Sequence, residues 1–250
     1  MDKSSQGRIP LGDQRRMWNE WNAAHRERTQ GEVSHRQAAQ VERWLASLAR
    51  KDLDILEVGC GAGWMCERLR SFGRVTGTDL ADEAITRARA RVPGVDFLSG
   101  DFMEVPLAKG SFDIVVTLEV LSHVADQPAF LARIAELLRP GGLLMLATQN
   151  RPVLERCSSI GRPLPGQLRH WVDGEQLRRL LAPSYALVEL TSVLPAGDQG
   201  WLRLVNSRKL NRALGALVDP ARIERWKERR LLGHTLMACA RKHGTGDHAA

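Results

Sequence analysis

Tyrosine is nearly missing from this 250-residue chain: Tyr185 is the only one, beside five Phe and seven Trp. Repeated surface aromatics of the kind RNA-recognition modules stack bases on are therefore absent. Cysteine is scarce too. Cys60, Cys66, Cys157 and Cys239 form no CxxC pair and have no histidines at zinc-site intervals, which excludes a disulfide scaffold and a structural zinc and predicts a chain without a metal. No run approaches the ~20 consecutive apolar residues of a spanning helix. Met1 to Arg16 is polar and lacks the apolar core of a secretory leader, so the expectation is a cytoplasmic protein. Internal repeats are absent, and low complexity is confined to the polar last eight residues.

What is present is an ordinary globular composition, 43% apolar and 26% charged, long enough to bury a substantial core. The charge is unevenly distributed. Residues 1–150 hold 19 Lys/Arg against 20 Asp/Glu, whereas residues 151–250 hold 17 against 9. The formal net charge of +7 therefore belongs to the last two-fifths of the chain. A neutral first part and a basic second part predict different partners for the two.

The stretch Leu53 to Gly63 organises the first part. Leu53, Ile55, Leu56 and Val58 form a short apolar run that ends in Glu57 and three alternating glycines, Gly59, Gly61 and Gly63. That pattern reads as a buried strand entering a tight turn. Met65, Leu69 and Phe72 then recur at helical spacing, so the unit is strand, glycine loop, helix. Glycines let backbone approach a ligand closely, and the helix start offers unpaired N–H groups. A dinucleotide fingerprint would need a third glycine where Trp64 stands.

With that spacing, the loop resembles motif I of the class I S-adenosylmethionine-dependent methyltransferases. The chain is most similar to the small-molecule O-methyltransferases of ubiquinone and natural-product biosynthesis. Leu118-Glu119-Val-Leu-Ser-His123-Val and Leu138-Arg-Pro-Gly-Gly142 resemble two further segments of that family closely. The resemblance covers residues 36–150 well and the remainder loosely. It implies an α/β fold, a Rossmann-like doubly wound sheet of seven strands. That sheet is mostly parallel with an antiparallel last strand, a helical N-terminal cap (1–50) and a helical insertion before the last strand. It also implies S-adenosyl-L-methionine as cofactor.

In chain order, amphipathic helices are expected over Asp13–Arg28 (Met17, Trp18, Trp21, Asn22, His25) and Ser34–Ala49 (Ala38, Val41, Leu45, Leu48). Family likeness puts Arg36 near the cofactor carboxylate; a solvated helix arginine is the alternative. Arg74–Asp79 reads as the second strand. Asp79 lies 22 residues past Glu57, where a carboxylate at the tip of the neighbouring strand can accept both ribose hydroxyls. Its neighbour Leu80 joins the expected lining, and Asp79 could instead cap the next helix. After the third strand (Val95–Leu98), Asp101 and Phe102 match the family's adenine contacts. Phe112–Glu119 is the continuous apolar run of a central strand, and its end, Leu118 and Glu119, faces the crevice. Strand five is Leu143–Thr148 and strand six Tyr185–Leu194, with a last short strand at His234–Arg241. Residues 151–172 read as an ordered loop on the substrate side, and residues 200–232 as a basic helical lid within the 51–250 catalytic domain.

Methyl transfer from a sulfonium is chiefly a problem of alignment, worth ~7–11 kcal/mol. An acceptor that loses a proton still gains from a base of near-neutral pKa. His123, after strand four, and His170, beside Trp171, are the candidates; a helix-start histidine bonded to backbone is the alternative for His123. Glu119 is close enough in sequence to orient its ring. One carboxylate there, followed by Gln149-Asn150 after strand five, is too few for a magnesium site. The expected function is methyl transfer to O or N of a small acceptor, with anionic and carrier-bound molecules among the candidates, peripheral membrane contact open and nucleic acid disfavoured. The alternatives are an RNA methyltransferase, against which no Asn-Pro-Pro-aromatic tetrapeptide follows strand four, and a non-catalytic cofactor-binding protein acting through its basic lid.

Overall fold

The computed structural model describes residues 9–25, 31–161, 164–165, 167–215 and 218–244. The expectations for a leader, for Arg28 as the end of the first helix, and for most of the polar tail lie outside the described residues. Two helices come first, α1 (Leu11–His25) and α2 (Glu32–Ser47). Strands and helices then alternate: β1 (Leu53–Val58), α3 (Trp64–Leu69), β2 (Gly73–Asp79), α4 (Asp82–Arg91), β3 (Asp96–Ser99), β4 (Phe112–Leu118), α5 (Gln127–Leu137) and β5 (Leu138–Gln149). A short α6 (Arg151–Leu154) and α7 (Gly174–Leu181) lead to β6 (Tyr185–Pro195). The insertion is three helices, α8 (Gly200–Val205), α9 (Arg208–Gly215) and α10 (Pro220–Arg229), before β7 (Gly233–Lys242).

The seven strands form one sheet in the order β3-β2-β1-β4-β5-β7-β6. β1 pairs in parallel with both β2 and β4, and β7 runs antiparallel between β5 and β6. This is a Rossmann-like doubly wound sheet. Side chains alternate between its two faces, as strand geometry requires. Ile55, Ile114, Val116 and Met145 pack with Leu45, Met65 and Ile85 of α2, α3 and α4 on one side. Leu56, Val115, Leu144 and Leu146 pack with Ile134 and Leu177 of α5 and α7 on the other. Helices on both faces explain why β4 is buried from Ile114 to Thr117.

Strand order reverses between β1 and β4, and such a switch point opens a crevice at the carboxyl ends of the strands. The two chain segments leaving that point are the glycine loop and Glu119. Most described element ends fall within two residues of the sequence expectation, but the start of β5 does not. β5 starts at Leu138, with the Pro140–Gly142 stretch accommodated as a bulge between the Phe112–Leu138 and Ile114–Leu143 pairs. A Cβ on Gly142 would lie 3.0 Å from the carbonyl oxygens of both Asp113 and Arg139, so glycine permits this close strand approach. The basic insertion is helical as expected, with breaks at Asn206 and Ser207 and near Asp219. Among the described residues no helix is long and apolar enough to cross a membrane.

Candidate active site

A cavity of about 1080 Å³ occupies the switch point. Its floor is the glycine loop, folded over the end of β2 by hydrogen bonds from Gly59 N (2.7 Å) and Cys60 N (3.1 Å) to Thr78 O. Gly59 and Gly61 have φ of 78° and 52°, a left-handed conformation that favours glycine. A Cβ on Gly59 would come within 2.1 Å of Val120 Cγ2, so this glycine lets the loop meet the β4 turn. Gly63 plays a different part from the one expected. It does not line the cavity; its Cβ position is 3.1 Å from Phe97 and 3.3 Å from Ala88, so it allows α3 to pack on α4 and β3.

Asp79 is anchored by two backbone donors. Its Oδ2 accepts from Gly61 N and its Oδ1 from Ala81 N, both at 2.8 Å. It therefore steadies the start of α4 and the glycine loop together. A carboxylate has about four acceptor positions, so two remain for a ligand's hydroxyls. Burial raises its pKa, offset by those backbone bonds.

Glu57 lies beneath the same loop. Its Oε2 and the Oγ1 of Thr78, both in the cavity lining, are buried without hydrogen-bond partners. Buried polar atoms are rarely left so, and a polar ligand is the natural partner. Burial pushes the Glu57 pKa up to about 8, opposed by the Cys66 thiol and reinforced by the charge of Asp79. The folded protein thus holds a proton that the unfolded chain gives up at ordinary carboxylate pH. Stability from this group is complete at low pH and is lost as pH rises through about 8. His123 and His234, whose pKa values burial depresses, act the opposite way, but only below ~6.5. Between pH 7 and 8 the ligand-free protein should lose about 1 kcal/mol, a fall of ~2–4 °C in Tm. Glu57→Gln should flatten that slope in calorimetric melts.

Leu80, Asp101, Phe102, Leu118 and Glu119 all line the cavity as expected. Asp101 Oδ1 accepts from Met103 N at 3.0 Å, and Phe102 packs edge-on against Phe130 with ring centroids 5.2 Å apart. Glu119 has φ 63°, unusual for a residue with a side chain. Its Oε1 accepts from Gln37 Nε2 (2.5 Å) and Thr235 Oγ1 (2.9 Å), tying α2 and β7 to the end of β4. It does not orient His123. Arg36 is also displaced from its expected place. It is outside the cavity lining, and its Nη2 donates to Glu224 Oε1 of α10 at 2.5 Å, the neighbour its side of α2 meets.

His123 is oriented by backbone. Its Nδ1 bonds Leu168 O at 2.7 Å, and since a carbonyl only accepts, Nδ1 carries the hydrogen and Nε2 the lone pair. Burial lowers its pKa, partly opposed by the Leu168 bond, which keeps the ring neutral at pH 7. His170 is set alike, with Nδ1 3.2 Å from Val124 O. Two further bonds dock the 167–170 loop on this turn, His170 N to Ser122 O (2.7 Å) and Gln127 Nε2 to His170 O (2.9 Å). Both histidines line the cavity.

The roof is α1, part of the N-terminal helical region that family likeness sets over the cofactor and substrate. Trp18, Trp21 and Asn22 line the cavity, with Trp18 edge-on to His123 at 4.7 Å and Asn22 Oδ1 3.0 Å from the Cβ position of Gly61. Asn19 fixes this helix to α4 through Asp82 Oδ1 at 2.9 Å. Gln37, Gln149 and His234 are further lining residues without a motif signal.

Residues 56–146 match the family model described as "Methyltransferase domain". This segment of the chain carries a methyltransferase domain. A probable S-adenosylmethionine-dependent methyltransferase of Mycolicibacterium smegmatis is 38% identical over 99 residues, 39% of this chain and 38% of that protein. A ubiquinone biosynthesis O-methyltransferase of Rhizobium etli is 39% identical over 146 residues, 53% of this chain and 59% of that one. The chain thus matches between about two-fifths and three-fifths of their lengths. Among solved structures, the N-methyltransferase NodS of Bradyrhizobium japonicum, in complex with S-adenosyl-L-homocysteine, superposes with a TM-score of 0.63. It is 18% identical and the match covers 92% of this chain and 98% of that one, a likeness of fold. The cofactor of the family is S-adenosylmethionine. The glycine loop, the spare acceptor positions of Asp79 and the unpartnered Glu57 and Thr78 oxygens suit its hydroxyl and ammonium groups.

Proposed function

We propose that this methyltransferase alkylates an oxygen or nitrogen of a small molecule inside the roofed crevice. The observation that carries the reading is the Nδ1 bond of His123 to Leu168 O, which leaves a neutral imidazole with its Nε2 lone pair in the cavity lining. S-adenosylmethionine would supply an electrophilic methyl on sulfonium. Asp79, Glu57, Gly59 and Gly61 would hold it, with Asp101 and Phe102 at its adenine. Trp18 and Trp21 on α1 exclude water and provide flat apolar walls for the acceptor. His123 takes the acceptor's proton at Nε2, while His170, pinned to Val124 O, is the second basic nitrogen available. Alignment by the loop and the roof does most of the work.

The nucleic-acid alternative gains no support from the basic segment, since none of its described residues lines the crevice. Incubation with methyl-labelled cofactor and fractionated cell extract tests the reading. Label is expected in the low-molecular-weight fraction. Label in RNA would select the nucleic-acid alternative, and label in neither, with cofactor bound, would select the non-catalytic one.

A further inference from the structure

Helices α8–α10 carry a surface unlike the rest of the molecule. Lys209, Arg212, Arg222 and Arg229 are exposed, and none has a carboxylate at ion-pairing distance among the described residues, while Arg203, also exposed, lies near Asp198. Arginines elsewhere are commonly neutralised, as in Arg43–Glu189, Arg68–Glu42 and Arg151–Asp173. Interleaved with the free cations are large apolar side chains left in water: Trp201 (51% exposed), Leu204 (69%), Leu210 (46%) and Trp226 (51%). Between the three helices an open, mainly apolar groove of about 480 Å³ continues this character. Lys227 closes its base, with Nζ donating to Val205 O (2.8 Å) and Asn211 Oδ1 (3.0 Å), so the helices are held to one another beneath the exposed face.

The position of this surface is fixed relative to the crevice. The insertion leaves β6 at Pro195 and rejoins at Gly233, which pair with each other at the carboxyl edge of the parallel strands. That is the edge on which the crevice opens. The Arg36–Glu224 pair joins α10 to α2, whose Val33 and Gln37 line the cavity.

We infer that α8–α10 form a docking surface for an anionic lipid leaflet, on the same edge of the sheet as the crevice. Unpaired guanidinium groups seek phosphate, and indole rings with neighbouring leucines seek the headgroup boundary. A nucleic acid would satisfy the arginines but leave Trp201, Leu204 and Leu210 in water, so the combination favours a membrane. The inference is independent of methyl transfer.

Flotation with vesicles of phosphatidylcholine, alone or mixed with phosphatidylglycerol, tests it. The full chain is expected to float with the mixed vesicles and not with phosphatidylcholine alone. That binding should fall steeply between low and physiological salt, as charges acting over ~8–10 Å require. Reversing three cations (R212E, R222E, R229E) should weaken binding about a hundredfold or more. Replacing the apolar pair (L204S, W226S) should weaken binding at low and physiological salt alike. Unchanged S-adenosyl-L-homocysteine affinity in each variant establishes that the fold is intact. Equal flotation with neutral vesicles, no flotation at all, full binding by both variants, or displacement of the protein from vesicles by single-stranded RNA would overturn the inference.

Discussion

Asp79→Ala should bind S-adenosylmethionine at least tenfold more weakly than the unchanged protein. The carboxylate has two acceptor positions left after Gly61 N and Ala81 N are satisfied. Each hydrogen bond from a ligand hydroxyl to a charged acceptor contributes ~1.5–3 kcal/mol, so losing both exceeds a factor of ten. The substitution also releases the glycine loop from β2. Asp79→Asn separates the two effects, because its amide oxygen can still accept from one backbone N–H while the charge is gone. Weakened binding in both variants, with melting temperatures near the original, is the expected pattern. Unchanged affinity in folded Asp79→Ala would remove Asp79 from the site.

The second large effect belongs to His123. With Nε2 as the base, loss of the imidazole should lower kcat by ~10²–10⁴ while cofactor affinity stays intact. Because burial depresses the His123 pKa, the acidic limb of the pH–rate profile should lie below ~6.5, with rate falling as the ring protonates. That limb should vanish in the variants. His123→Ala also deletes the bond to Leu168 O and loosens the 167–170 loop, so its effect mixes two causes. His123→Asn is the cleaner probe, since its amide can donate to Leu168 O but cannot accept a proton. A base predicts near-native stability and slow turnover in His123→Asn. A purely structural histidine predicts near-native turnover in the same variant.

Much of the cofactor side could be read in the chain because it is built from contiguous segments. Gly59 and Gly61 follow the apolar run of β1, Asp79 ends β2 at a set distance from Glu57, and the switch point follows from strand order. What escaped reading depends on contacts between distant segments. Arg36 meets Glu224, 188 residues away, and Glu119 meets Gln37 and Thr235 instead of His123. Trp18 and Trp21 have the spacing of any buried helix face; the contacts that set them over the cavity, Asn19 with Asp82 and Glu83 and Trp18 with His123, join segments far apart in the chain. Gly63 has a packing role that its motif does not reveal. Its place in the motif pointed to the ligand, but its missing Cβ makes room for Phe97 and Ala88.

Calorimetric titration of the unmodified protein with S-adenosyl-L-methionine, and in parallel with NADH, is the most direct test of the central claim, that the glycine loop and Asp79 form a methyl-donor site. The geometry predicts one saturable site per chain for the sulfonium cofactor and none for the dinucleotide, because Trp64 stands where a dinucleotide fingerprint requires glycine. Tight NADH binding, with no heat from S-adenosyl-L-methionine, would contradict it.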